Sequence, residues 1–503
     1  PTPTPIPPKT LVVCTGAEPQ NLYLYGDASR AKRSVLEAIY DGPIDTENYE
    51  PAPVILQELP TLDNGGITLQ PAAVSEGDPV ANVTGDIVAL KKGVKVFPAG
   101  CTSATCAVEW DGETELELSQ MVVNFKLMES VTWSDGEPLT AEDSVYSFTV
   151  SNDPATAVTK TNSERTLSYT ALDASTVQWT GQPGYLTLNP SAFFWSPLPQ
   201  HQLGELSAEQ LNSDALTNET PLGWGAQRID EWVKGDHIRL VKNSNYYRAG
   251  EGLPFFDVVV YRFIPTTPEA DLSMMVTGEC DIMDTTVGLE SQLLGVRELA
   301  EQGEVKSFSG MGPEWEALTL GIKPATYDDV YNPYEDRQDY YGDARVRQAI
   351  AYCLDRERIK FEFTLSQSVV PETYLPPNHP FAATGLPAYE RNVVLGNQLL
   401  EEAGWLDTDG DPATPRVAMT IPGIFSNTQL VLNYYTTESV LHTDVRKVIF
   451  ESLGECGIGV TTHYLPVTDM YAGGPDGVVF GRNFDLAELA WSTGRQPPCF
   501  LFA

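Results

Sequence analysis

A chain of 503 residues is too long for one hydrophobic core, so we expect about two or three domains. Its composition, 42% hydrophobic and 20% charged, is typical of a folded protein and argues against disorder. The 69 acidic side chains against 31 basic ones give a formal net charge of −38, and a surface this acidic repels phosphate backbones and anionic lipids, which argues against nucleic-acid binding.

The chain opens on a stretch rich in proline and threonine. Residues 1–10 read PTPTPIPPKT, a composition that favours an extended tether over a helix or a central strand. The start lacks methionine, and no run of about 18 apolar residues follows, so we expect a processed chain with no transmembrane segment. We expect that a signal sequence ending in a lipidated cysteine was removed upstream, which would anchor the protein outside the cytoplasm, in the periplasm or on the cell surface.

The cysteines indicate an oxidising compartment. Cys101 and Cys106 flank a short loop, and we predict a local disulfide between them. The sequence has no CxxC pair and its five histidines lie far apart, which argues against a zinc site of standard spacing. The pairing of the remaining five cysteines is left open, and an odd total of seven leaves at least one without a partner in this chain: Cys14, Cys280, Cys353, Cys456 and Cys499.

The first half of the chain changes from mixed to β-rich patterning. Residues 10–14 (TLVVC) predict a buried strand, and helical spacing of apolar residues predicts a helix over 27–40. Residues 67–127 show short alternating runs broken by Gly, Asp, Asn and Pro, which predicts several strands. Thr140, followed by two acidic residues, is a good N-cap for the next helix.

The second half alternates strands and helices. A strand at 258–264, a helix at 268–277 and a short strand at 280–283 indicate a βαβ unit. Further helices are predicted near 344–358, 391–403 and 442–453, and residues 482–491 predict a final strand.

Six groups of short motifs occur along the chain. The most distinctive is WSDGEPLTAED, from Trp133 to Asp143. The others are PLGWG at 221–225 with RLVKN at 239–243 and YY at 246–247, GECDI at 278–282, DARVRQA at 343–349 with LDR at 354–356, LLEEAGW at 399–405, and FDL at 484–486. Together, and in this order, they resemble the signatures of the large solute-binding proteins of peptide, nickel and oligosaccharide ABC importers.

The resemblance implies an α/β, periplasmic-binding-protein-like fold of two lobes, with an extra β-rich subdomain and a hinge that the chain crosses twice. Members usually continue for roughly another hundred residues, so we expect lobe I to be incomplete at the C-terminus. The expected division is a tether at 1–10, lobe I at 11–45, 220–285 and 482–503, a β-rich subdomain at 46–219, and lobe II at 286–481.

The same resemblance implies a monomer that captures a peptide or similar small polar ligand between its lobes and delivers it to an ABC importer permease. By position in the family, Trp491 and Arg495 are the first candidate ligand contacts and Trp224 the next, followed by Trp315 and the pair Tyr40 and Asp41; for each aromatic residue, packing in the core is an equal alternative.

The amine-binding position of the family departs from its pattern here. Peptide-binding members often carry an aspartate three residues after the tryptophan, and this chain has Gly494 there. A buried ammonium without a counter-charge is costly, so an acidic, terminally blocked or sugar-like ligand becomes the expectation.

One acidic loop is a candidate calcium site, the only cofactor that we expect. Asp407, Asp409 and Asp411 form a D-x-D-G-D pattern whose alternating carboxylates can supply oxygen ligands. The loop lacks the distal glutamate of an EF-hand, and the pattern is also common as a plain surface turn.

We expect no catalysis, because the sequence has no G-x-S-x-G, H-E-x-x-H or P-loop motif. Two alternatives stay open: an oligosaccharide receptor of the same transporter family that stacks sugars on tryptophans, and a surface-anchored envelope protein that reuses the fold without transport.

Overall fold

The computed structural model describes residues 7–264, 268–324, 326–327, 330–332, 334–411, 414–474, 477–495 and 497. The chain divides into two compact units, Pro1–Leu289 and Glu290–Ala503, which we call unit 1 and unit 2. Among the described residues, no helix combines the length and apolar character that crossing a membrane requires.

The first strand of unit 1 begins at Thr10, the last residue of the predicted tether. Its strands are β1 Thr10–Thr15, β2 Ile44–Glu47, β3 Glu50–Pro53, β4 Ile67–Val74, β5 Pro79–Ala81, β6 Ile87–Ala89, β7 Lys95–Val96, β8 Val108–Glu109, β9 Leu116–Lys126, β10 Thr166–Ala171, β11 Thr176–Gly181, β12 Gln227–Val233, β13 His237–Lys242, β14 Val258–Phe263 and β15 Ile282–Met283. Its helices are α1 Arg30–Ile39, α2 Ala141–Asn152, α3 Thr161–Glu164, α4 Gln200–Leu203, α5 Ala208–Leu211, α6 Ala215–Asn218 and α7 Pro268–Val276.

A five-stranded sheet with the order β12-β13-β14-β1-β15 organises unit 1. Strand β1 pairs in parallel with both β14 and β15, and α7 connects the latter two, so the predicted βαβ unit is confirmed. Cys14 in β1 forms a disulfide with Cys280, two residues before β15, and this bond links the two neighbouring segments.

The β-rich region of unit 1 contains a second sheet, ordered β10-β11-β9-β4, with smaller hairpins beside it. Its buried residues Val123 and Phe125 belong to the same apolar cluster as Val35 and Ile39 of α1. The predicted N-cap Thr140 precedes helix α2 and forms a capping box with Asp143. The β-rich region therefore shares its main core with the rest of unit 1.

Unit 2 is built around one four-stranded sheet covered by helices. Its strands are β16 Glu314–Leu320, β17 Trp405–Leu406, β18 Val417–Ala418, β19 Val431–Thr437, β20 Gly459–Leu465 and β21 Leu486–Ser492. Its helices are α8 Leu293–Glu301, α9 Ala344–Cys353, α10 Arg356–Thr364, α11 Val393–Glu402, α12 Val440–Gly454 and α13 Val467–Met470. The sheet order is β16-β21-β19-β20, with β16 antiparallel to β21 and the other pairs parallel.

The final strand corrects the predicted division into lobes. We expected residues 482–503 to return to lobe I, but β21 lies inside the sheet of unit 2, between β16 and β19. Leu486 and Ala487 are completely buried there, which explains the apolar run in this strand. The second hinge crossing expected at residue 482 therefore does not occur among the residues described up to Arg495.

The structure also answers part of the disulfide question. The predicted bond between Cys101 and Cys106 forms, with an S–S distance of 1.96 Å. In unit 2, Cys353 at the end of α9 bonds to Cys456, just after α12. Cys499 lies outside the described residues.

Candidate functional site

Two tryptophans are cross-strand neighbours on the sheet of unit 2. Trp315 in β16 is the direct register partner of Trp491 in β21, and both side chains are partly exposed. Opposite residues in an antiparallel pair project from the same face with Cβ atoms about 4.5–5.5 Å apart, so the two rings are neighbours on one surface. The structure thus brings together two predicted ligand contacts that lie far apart in the sequence.

The surroundings fix this tryptophan pair in place. The indole N–H of Trp315 donates a hydrogen bond of 2.9 Å to the hydroxyl of Thr493, and its ring lies 6.5 Å from the ring of Tyr374. Trp491 packs against a buried apolar cluster that includes Met470 and Phe484. We call Trp315, Tyr374 and Trp491 the aromatic edge.

The loop after β21 is held beside the aromatic edge. The buried imidazole of His379 lies with Nε2 3.1 Å from the carbonyl oxygen of Gly494. Arg495, a predicted ligand contact, follows directly and is partly exposed. A glycine at position 494 leaves this loop without the carboxylate that the family pattern places there, and its carbonyl is engaged by His379.

The structure corrects the role predicted for Trp224. Its side chain is 0% exposed, its indole N–H donates a 2.8 Å hydrogen bond to the carbonyl oxygen of Asp41, and its ring packs on Tyr40 and Trp133. A ligand cannot reach a completely buried ring, so Trp224 is a core residue of unit 1.

Tyr40 and Asp41 are also committed to contacts within unit 1. Tyr40 is buried against Trp224. The carboxylate of Asp41 accepts hydrogen bonds from the hydroxyls of Tyr246 at 2.5 Å and Tyr247 at 3.0 Å. Burial and this contact with Asp41 raise the pKa of Tyr246 to about 12. These contacts give both residues partners within unit 1, and ligand contact by the partly exposed Asp41 stays a prediction.

The carboxylates of the acidic loop at 407–411 accept hydrogen bonds from groups of the same segment. Asp407 accepts from the backbone N–H of Gly410 at 2.8 Å, and Asp409 accepts from the hydroxyl of Thr414 at 2.9 Å and from the backbone N–H of Asp411 at 3.0 Å. These bonds stabilise a tight turn, and calcium binding here stays a prediction.

The face of the strand pair opposite the tryptophans is acidic. Successive residues of a strand point to opposite faces, so Glu316 and Glu488 lie on the face that the tryptophans leave. Burial, with the nearby charge of Glu316, raises the pKa of the Glu488 carboxyl. A hydrogen bond to Glu316, reinforced by the charge of Glu488, raises the pKa of His442 in α12 to about 9 although burial opposes it.

Sequence reasoning did not find Tyr374, His379, Glu316, His442 and Glu488. Tyr374 and His379 lie in an irregular segment without periodicity, so nothing in the sequence marks them. Glu488 did carry a signal, because it is the one charged residue inside the apolar run from Leu486 to Trp491.

Relatives of known structure or name match most of this chain. The oligopeptide-binding protein AppA of Bacillus subtilis is 24% identical over 389 residues, which is 75% of this chain and 64% of AppA. The chain therefore spans less than two thirds of that relative's length.

Solved structures share the fold. The structure of AppA from Bacillus subtilis in complex with a nonapeptide matches 98% of this chain and 82% of its own at 19% identity, with a TM-score of 0.57. The structure of NikA from Brucella suis in complex with Fe(III)-EDTA matches 98% and 81% at 16% identity, with a TM-score of 0.66. These matches confirm the two-lobed α/β fold that the sequence resemblance implies.

A family model described as bacterial extracellular solute-binding proteins, family 5, matches residues 113–503, well over half of the chain and including both tryptophans of the aromatic edge. The chain belongs to family 5 of the bacterial extracellular solute-binding proteins.

Proposed function

We propose that this protein is an extracytoplasmic solute-binding protein that captures a peptide or similar small polar ligand and delivers it to an ABC importer. The observation that carries the proposal is the cross-strand pair Trp315 and Trp491 on the sheet of unit 2. Ligand sites of small polar molecules combine aromatic faces with a few fixed polar groups, and the partly exposed Arg495 in the loop after β21 is a candidate for such a group. The names of relatives, oligopeptide-binding proteins, support a peptide as the ligand.

The loop after β21 refines the ligand class. Gly494 supplies no carboxylate, and the next residue, Arg495, carries a positive charge. The positive charge of Arg495 would repel an ammonium group of the ligand and attract a carboxylate. The proposed ligand is therefore an acidic or terminally blocked peptide.

An oligosaccharide is the second candidate ligand. Two neighbouring tryptophan faces are a surface on which sugar rings stack, and Trp315 and Trp491 provide one. Calorimetric titration of the full chain with N-acetylated, acidic and free peptides and with neutral oligosaccharides separates the two. Binding of blocked or acidic peptides supports the proposal, binding of sugars alone establishes the second candidate, and no binding of either kind contradicts both.

The proposal includes three further properties of the protein. We propose that the protein releases its ligand unchanged, acts as a monomer, and is anchored to the membrane by a lipid on a segment preceding this sequence. Mass spectrometry of ligand recovered after binding tests the first property, because any mass change would reveal an enzyme. A calcium-dependent rise in melting temperature that D409N abolishes would establish a structural calcium at Asp407, Asp409 and Asp411.

A further inference from the structure

Three side chains from three elements of unit 2 meet on the acidic face of the sheet. Glu316 comes from β16, Glu488 from β21 and His442 from the first turn of α12. One nitrogen or oxygen atom of each lies within 4.8 Å of the others, and Nε2 of His442 is 3.3 Å from Oε1 of Glu316. We call these residues the EHE cluster.

The groups around the EHE cluster orient its donor atoms. Nδ1 of His442 lies 2.8 Å from the hydroxyl and 3.2 Å from the carbonyl oxygen of Thr437. When Nδ1 carries the proton and donates it to that carbonyl, the lone pair of Nε2 faces the carboxylates. Glu488 accepts hydrogen bonds from the hydroxyls of Tyr434 and, at 2.7 Å, Thr436. Histidines that bind metals are held in this way, with the second ring nitrogen donating to a carbonyl or carboxylate.

The two carboxylates of the EHE cluster carry more negative charge than its one histidine can compensate. Two carboxylates and a neutral imidazole carry a charge of about −2, and Glu488 is only 7% exposed, so part of that charge is buried. A proton on His442 would compensate only one of the two negative charges. A divalent cation would compensate both, and it would replace the repulsion between the carboxylates with attraction.

The spacing matches a small cation bound by mixed ligands. Ligands at about 2.0–2.2 Å from a tetrahedral zinc ion lie about 3.4 Å apart, close to the 3.3 Å that separates His442 from Glu316. An imidazole nitrogen suits first-row transition metals better than calcium or magnesium, which prefer oxygen ligands alone. The side chain of Glu316 is 40% exposed, which gives an ion a path from solvent and leaves room for a water ligand.

We propose that Glu316, His442 and Glu488 form a binding site for Zn²⁺ or a similar first-row divalent cation. The three side chains would supply three ligands, and water would complete the coordination as in open zinc sites. This inference concerns unit 2 alone and does not depend on the ligand proposed for the aromatic edge.

The test is zinc titration of the full, tag-free chain after chelator treatment, followed by calorimetry. We expect about one zinc ion per chain at this site, with at least about 100-fold weaker affinity in H442Q and in E316Q. Y434F should weaken zinc binding by about 10-fold, because it removes only a group that orients Glu488. The matched control is H463Q, on strand β20 of the same sheet, which should bind zinc like the wild type.

Two further readouts keep the test independent of folding. The E316Q change is at a partly exposed side chain, so the metal-free variant should keep the wild-type circular dichroism spectrum and unfold cooperatively, although loss of the contact with His442 lowers its melting temperature. Co²⁺ in place of zinc should give visible absorption that H442Q removes. Zinc uptake by H442Q and E316Q equal to that of the wild type, or no zinc uptake by the wild type, would overturn the proposal.

Discussion

Trp315 lies directly opposite Trp491 across the antiparallel strands β16 and β21, although 175 residues that include five helices and four strands separate them in the chain. The pairing puts both rings on one face of the sheet, while Glu316 and Glu488 take the other. The same two strands therefore present an aromatic surface on one side and an acidic cluster on the other, and the predictions below address the two surfaces separately.

The aromatic edge should contribute most of the affinity for the proposed ligand. We expect W491A to weaken binding of the peptide or sugar by about 30-fold, since truncating a central tryptophan typically costs about 2 kcal/mol or more. Calorimetry of the purified variants measures the effect. The matched control is W232A in unit 1, a partly buried tryptophan bonded to Glu18, which should leave affinity unchanged. Equal losses in W491A and W232A would count against a specific role for the edge.

Trp224 should matter for stability and leave binding intact. W224A should cost about 3–5 kcal/mol in the free energy of unfolding, because it empties a fully buried site. W224F should cost less, about 1–3 kcal/mol, chiefly because the carbonyl of Asp41 loses its donor. Denaturant unfolding followed by circular dichroism gives both values. A W224F variant as stable as the wild type would contradict the structural role.

Disulfides should contribute to the free energy of unfolding according to the length of the loops that they close, and two of them differ widely in this respect. In the chain-entropy model, the Cys353–Cys456 bond, with a separation of 103 residues, contributes about 4.7 kcal/mol. The Cys101–Cys106 bond, with a separation of 5, contributes about 2 kcal/mol. Comparing the C353A/C456A and C101A/C106A double variants by denaturant unfolding should show the first to be less stable, and the reverse order would refute this ranking.

The EHE cluster should make stability depend on pH when metal is absent. Glu316 of β16 and Glu488 of β21 face His442 and raise its pKa from 6.5 to about 9. Because the pKa is higher in the folded state, the stabilising contribution is complete below pH 6.5 and is lost as the pH rises through about 9. In chelator, the stability difference between wild type and H442Q should therefore shrink over this interval. A difference that stays constant would show that the proton on His442 does not stabilise the fold.

Local sequence patterns predicted the helices and strands of this fold better than they predicted which strands pair in a sheet. The N-cap Thr140 and the helix–strand order around α7 follow from short-range signals, and the structure confirms both. The apolar run of β21 predicts a buried strand, but such a run does not say which sheet will receive it. The family resemblance implied that residues 482–503 return to lobe I, whereas β21 pairs with β16 and β19 in unit 2.

The candidate site shows the same limit at the level of single side chains. Trp224 and Trp491 are both tryptophans in family-like segments, and the sequence does not distinguish the buried one from the partly exposed one. The exposure of each ring depends on its tertiary contacts, since Tyr40 and Trp133, from distant parts of the chain, pack against Trp224. The EHE cluster was missed because its three residues are brought together only by the register of β16 on β21 and by the first turn of α12.

The most direct test of the central claim is a double-mutant cycle between Trp315 and Trp491, with ligand affinity measured by calorimetry for wild type, W315A, W491A and the double variant. If the two rings hold the ligand as one surface, each single variant weakens binding and the cycle gives a coupling free energy of about 0.5–3 kcal/mol. If all four proteins bind the ligand equally well, the ligand does not contact this pair and the proposed site is wrong.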